Sequence, residues 1–156
     1  MSATGDASAP LSAQERAHCA TLAALLAGHG ALGLWGLLLS ALALATLCLG
    51  TASGLAALGF AATALLGLPE RYLALRLRLD ERLFGDLVAG RIPNLPALDQ
   101  ALGQLGLRKA AAAAVRPLAD RLHGARRLMR RHASIVASQS LLTVVAIAAD
   151  RFQFFP

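Results

Sequence analysis

AHCATLAALLAGHGALGLWGLLLSALALATLCLGTASGLAALGFAATALLGLP, from Ala17 to Pro69, is a run of 53 residues without an Asp, Glu, Lys or Arg. A helix crossing the hydrocarbon core of a bilayer needs about 20 apolar residues. The run is too long for one crossing and suits two. Gly50-Thr51-Ala52-Ser53-Gly54 gathers small, turn-tolerant residues near its middle, so the sequence predicts a hairpin with spans near 31–49 and 52–68. Pro69 predicts a boundary or kink at the second exit. A continuous helix from Ala13 to Leu49 would be about 55 Å long, well beyond the thickness of the core. A bend or interfacial segment is therefore expected at Gly28-His29-Gly30, with 13–27 partly outside the core.

Outward from the run, residues 1–16 read as a polar tail and a helix start. Ser12 with Glu15 forms a capping-box pattern, which begins a helix at Ala13. Met1 to Asp6 carries no basic n-region and the apolar run far exceeds a signal h-region, so it is expected to stay in the mature protein. Trp35 and Tyr72 fall near the first entry and the second exit, at one membrane face, where amphipathic rings prefer to lie. Ser53, Ala57 and Ala61 recur every four residues, a small face that permits close helix approach and that Gly50 and Gly54 extend. Cys19 and Cys48 sit too far apart along a span to form a disulfide, and read as small buried hydrophobes.

Residues 70–132 change character. Leu68, Tyr72, Leu75, Leu79 and Leu83 keep helical spacing, with Arg71, Arg78 and Arg82 on other faces. Gly90 to Asn94 reads as a turn, and Pro96 suits the first turn of a short helix through Leu105. The alanines from Ala110 to Ala114 favour helix up to Pro117, and from Leu118 an amphipathic helix resumes through Leu122, Ala125, Met129 and Ala133. Ala133 to Ala149 is a third uncharged apolar segment, and residues 133–156 are expected to form a third transmembrane helix with a short tail. The fold class expected is an all-α membrane protein: an N-terminal transmembrane hairpin at 17–69, amphipathic cytoplasmic helices at 70–132, and that third span.

Composition agrees. The apolar share is 56%, the charged share 15% and the mean hydropathy +0.57, against roughly 25% charged residues in soluble domains. Between Glu70 and His132 lie twelve Arg and one Lys against six acids, which holds nearly all the basic charge of the chain. The positive-inside rule puts this stretch and the N-terminus in the cytoplasm, the hairpin tip on the far side, and the C-terminus there too. Arg126, Arg127, Arg130 and Arg131 are expected to meet anionic lipid headgroups, each worth about 1 kcal/mol near the surface. Nucleic acid is not expected as a partner, since the stacking aromatics and binding motifs are missing.

Few residues point to chemistry. His18, His29, His123 and His132 sit near interfaces or in basic helices, where a polar ring needs no ligand role. His18 and His132, at similar depth, are the pair that could hold a haem between helices. His18-Cys19 is the one adjacency of zinc-ligand types, and neighbours on a helix point in different directions. Asp80, Glu81 and Asp86 lie among arginines, where charge pairing explains them. No nucleotide, zinc-protease or nucleophile-elbow motif occurs, so no catalytic residue, metal or cofactor is assigned. Ser138, Gln139, Ser140 and Thr143 are the intramembrane polar residues, expected to hydrogen-bond across helices. The function expected is a non-enzymatic accessory or scaffold subunit of a bacterial inner-membrane complex, bound to lipid and to a membrane-protein partner or to further copies of itself. The alternatives are a holin-like pore or transport protein and a redox subunit with a His-ligated haem.

Overall fold

The computed structural model describes residues 11–52, 54–106 and 117–153, and within them the chain is all helical. There are four helices: α1 (Ala13–Cys48), α2 (Gly54–Val88), α3 (Leu95–Gln104) and α4 (Leu118–Gln153). Ser53 of the expected hairpin turn, Lys109, the 110–114 alanine run and the end of the C-terminal tail lie outside the described residues.

The helix ends follow from local chemistry. Ser12 Oγ accepts from the Glu15 amide at 3.2 Å while Glu15 Oε2 accepts from the Ser12 amide at 2.9 Å, closing the capping box at the start of α1. α1 ends in a Schellman motif: Gly50 N–H reaches Leu47 O, Thr51 N–H reaches Thr46 O, and Gly50 takes a φ of +63°. Asn94 caps α3, its Oδ1 accepting from the Ala97 amide at 2.9 Å, with Pro96 in the first turn as expected.

At Gly28 to Gly30, where a bend or interfacial segment is expected, α1 has no break and runs for 36 residues. Glycine in a helix interior costs about 1 kcal/mol relative to alanine, and the flanking Leu and Ala turns outweigh that. Pro69 does not end the second helix either, since α2 continues for 35 residues with the proline inside it. Proline removes one backbone donor, while the turn beyond it is held by Glu70 and Arg71, whose side chains bond to α4 and α1. The transitions at 69/70 and 132/133 are thus changes of side-chain character within single helices.

Buried and half-buried positions repeat every three and four residues along each long helix. On α1 they are Cys19, Leu22, Leu26, His29, Gly33, Gly36, Ser40, Ala43 and Leu47. On α2 they are Ala56, Phe60, Thr63, Gly67, Glu70, Ala74 and Leu77. On α4 they are Leu118, Leu122, Ala125, Met129, His132, Val136, Gln139, Thr143 and Ala146. A sustained period of 3.5 residues is that of a left-handed coiled coil. This seam is not the face the leucine spacing of α2 suggested, since Leu68, Tyr72 and Leu75 are each about 70% exposed. It also bypasses the face of Ala57 and Ala61, which are only half-buried, and on α4 it passes through His132 rather than Ala133.

The chain forms two compact units. One comprises 1–27 and 79–126; its buried residues include Cys19, Leu22, Leu26, Phe84, Leu87, Leu98 and Leu118, with an ion pair between Arg121 and Asp99. The other comprises 28–78 and 127–156 and is a three-helix bundle. In it α1 and α4 run in the same direction and α2 runs opposite. Ala43, Phe60 and Ala146 cluster at one end, while Gly36 and His132 meet Glu70 at the other.

Candidate functional site

The interior of the three-helix bundle is layered. Ala43, Phe60 and Ala146 form an apolar layer, against which Leu47, Ala52 and Ala64 pack. Next comes a polar layer built around Gln139, whose Nε2 donates to Ser40 Oγ at 3.0 Å and to the Thr63 carbonyl at 3.2 Å. One side chain on α4 thereby bonds to both α1 and α2. The Thr63 carbonyl fixes the amide's orientation, because only an N–H can face it. Gly67 lets α2 close onto this layer: a β-carbon there would overlap Ser40 Oγ.

The third layer is charged. Glu70 is fully buried, and its carboxylate accepts from Arg71 Nε at 2.6 Å, from Arg71 Nη2 at 2.7 Å and from His132 Nε2 at 3.0 Å. Arg71 Nη2 also donates to the Gly33 carbonyl of α1. Gly36 makes room for the carboxylate, since a β-carbon there would stand 2.8 Å from Glu70 Cδ. His29 Nε2 lies 3.1 Å from the Met129 carbonyl of α4, and its ring centroid is 5.2 Å from that of His132. Burial by itself would raise the Glu70 carboxyl, but the hydrogen bonds from Arg71 and His132 and the positive charge of Arg71 hold it below the ordinary carboxylate range. His29, Glu70, Arg71 and His132 come from three helices.

No protein-family model, curated protein or solved structure matches the chain.

Of Ser138, Gln139, Ser140 and Thr143, expected to bond across helices, the structure brings two to another helix. Gln139 bonds as above, and Ser140 Oγ accepts from the indole N–H of Trp35 at 3.0 Å. Ser138 and Thr143 instead donate to carbonyls four residues back on their own helix, Ser134 and Gln139. Arg126, Arg127, Arg130 and Arg131 are all exposed and lie off the α4 seam. Cys19 is buried as expected, whereas Cys48, on the outward side of the last turn of α1, is exposed.

His18 is exposed, and the ring beside His132 belongs to His29, so the expected pairing of His18 with His132 gives way to another. Among the described residues no group of three or more His, Cys, Asp or Glu side chains is placed to hold a metal ion. Sequence reasoning does not single out Glu70, Arg71, Ser40 or Thr63 as site residues. The signal for Ser40, Thr63 and Glu70 is the 3.5-residue stripe, on which they recur with glycines and alanines.

Proposed function

We propose that the protein is a multi-pass membrane protein with its basic segment in the cytoplasm, and that it serves as a non-enzymatic accessory or scaffold subunit of an inner-membrane complex. One observation carries the membrane reading: the three-helix unit exposes large apolar side chains while polar and charged side chains are buried inside it beside an apolar layer. Ser40, Thr63, Glu70, His132, Gln139 and Thr143 are buried, while Leu34, Leu38, Leu42, Leu58, Leu65, Leu141 and Val144 are about half or more exposed. Two helices, α1 and α4, are long and apolar enough to cross a bilayer, and their apolar windows are only 22% and 28% buried. A core helix of a soluble domain would hide such a window. A soluble monomer rarely exposes a contiguous apolar patch above a few hundred Å². α4 runs alongside α1 through the same layers, which supports a third crossing.

The subunit reading rests on how the interior polar groups are spent. The buried hydroxyls and the Gln139 amide nitrogen bond to neighbouring helices or to carbonyls one turn back on their own helix, and the Ala43–Phe60–Ala146 layer closes one end. That arrangement favours a packed support over a water-filled pore. Alkaline carbonate washing should leave the protein in the membrane pellet, and release into the supernatant overturns the membrane reading. Gentle extraction followed by crosslinking and mass spectrometry should return a larger particle with a reproducible partner or several copies of the chain. A strictly monomeric particle removes the subunit reading, and collapse of ion gradients on controlled expression replaces it with a pore.

A further inference from the structure

We propose that the outward face of α4 holds one molecule of an anionic phospholipid with two phosphate groups, a site that rests on the membrane reading. Arg127, Arg130, Ser134, Leu141 and Val145 lie along α4 at helical spacing, and each is exposed. They fall on the side opposite the buried His132, Val136 and Gln139. Arg131, also exposed, flanks them one turn beyond Arg127. One face of one helix thus passes from guanidinium through hydroxyl to hydrocarbon.

The three arginines face no acid of their own unit. α4 carries no Asp or Glu between Asp120 and Asp150. Glu70 is already bonded to Arg71 and His132, and Asp150 stands roughly 28 Å along the helix from Arg131. Like charges one helical turn apart repel, so an anion docked on this face is favoured. A guanidinium grips a phosphate through two parallel N–H bonds, which are shorter and stronger than bonds between neutral groups. Three such forks exceed what the single charge of one phosphate diester neutralises. A lipid with two phosphates delivers the second one intramolecularly, once the first is held.

The lower half of the face selects lipid over a soluble anion. Leu141 is 66% exposed and Val145 51%. From Arg131 to Val145 the helix rises about 21 Å, against about 15 Å for the hydrocarbon of one leaflet. Phosphates held by the arginines therefore lay the acyl chains along Leu141 and Val145. A soluble anion leaves that apolar stripe uncovered. A second copy of the chain, inserted the same way, would set its own arginines against these.

The test is native mass spectrometry of the full chain released from nanodiscs made of equal parts cardiolipin, phosphatidylglycerol and phosphatidylcholine. These supply two anionic phosphates, one, and a zwitterionic headgroup. The expected result is one cardiolipin per chain, retained about fivefold or more over either other lipid. Arg127→Lys with Arg131→Lys keeps the charge but loses the planar fork, and should lower that retention. Arg16→Lys with Arg82→Lys, at exposed arginines of α1 and α2, should leave it unchanged. Equal retention of the three lipids overturns the proposal, as does an equal loss in both double variants. Release of cardiolipin by inorganic pyrophosphate gives the face to a soluble anion, and a doubled mass without lipid gives it to a second copy; either result overturns the lipid site. Should a variant fail to fold, the wild-type preference decides alone. A chain that carbonate releases from the membrane loses the membrane reading and the site together, whereas one held in the pellet without lipid preference loses the site alone.

Discussion

Glu70 Oε1 accepts a hydrogen bond from His132 Nε2 at 3.0 Å, with side chains 0% and 1% exposed. A carboxylate this deep costs several kcal/mol unless it is paired and hydrogen-bonded. Here Arg71 supplies the pairing and His132 the remaining bond, so the charge ties α2 to α4 at the end of the bundle opposite the apolar layer.

Acid should loosen this tie. The Glu70 carboxyl is held below its ordinary value of about 4.3, so its contribution is fully present above that value. The contribution is lost as pH falls through the lower, folded-state value. Thermal melts in nanodiscs should show stability level above the ordinary carboxylate range and declining in stronger acid. Glu70→Gln should lower the plateau and flatten the decline; parallel curves for the two proteins would assign the acid loss to other groups.

Gly67 should tolerate no side chain. Gly67→Ala drives a methyl into Ser40 Oγ, and overpacking of this kind costs about 1–3 kcal/mol. Ser40→Ala removes the clashing hydroxyl, so the double variant should recover part of the loss. A cycle of four unfolding curves measures the coupling, and strict additivity would mean that the helices separate here instead of meeting.

Gln139 should act as the bundle's central interhelical bond. Gln139→Leu keeps the volume but breaks two bonds, and intramembrane hydrogen bonds are worth on average about 0.6 kcal/mol each. Ser138→Ala, which alters only a bond within α4, should change little. Equal effects from the two substitutions would contradict the separation between them.

The basic segment should set orientation. Reporter fusions at Gly50, Leu105 and Pro156 should read outside, inside and outside. Replacing Arg126, Arg127, Arg130 and Arg131 with Gln removes four of the fifteen basic residues and should scramble or invert the readings distal to α4. An unchanged Pro156 reading would give the orientation to the hairpin alone.

Much of the local structure is legible in the residues. The capping box at Ser12, the stop at Gly50, the turn from Gly90 and the Pro96 start of α3 all follow from short-range chemistry that each segment carries itself. The lengths of α1 and α2 do not follow. Gly28, Gly30 and Pro69 are breakers by propensity, but long apolar turns on either side and bonds from neighbouring helices override them.

The buried face of α2 escapes the leucine spacing for a related reason. Leucine spacing marks the apolar face, and in a water-soluble helix that face goes inward. In this bundle many inward positions go to Gly36, Ser40, Thr63, Gly67, Glu70, His132 and Gln139, which let backbones approach and bond, while most leucines, Leu39 and Leu77 apart, stay outside.

The uncharged stretch from Ala17 to Pro69 by itself determined that this part of the chain is helical, strongly apolar and long enough for two helices. Its hydropathy and its turn residues are local quantities, readable in any window. Which residues meet was decided only by tertiary structure, because Glu70, His29 and His132 lie 41 to 103 positions apart in the chain. No window contains all three, and only the 3.5-residue seam of three helices brings them into one layer.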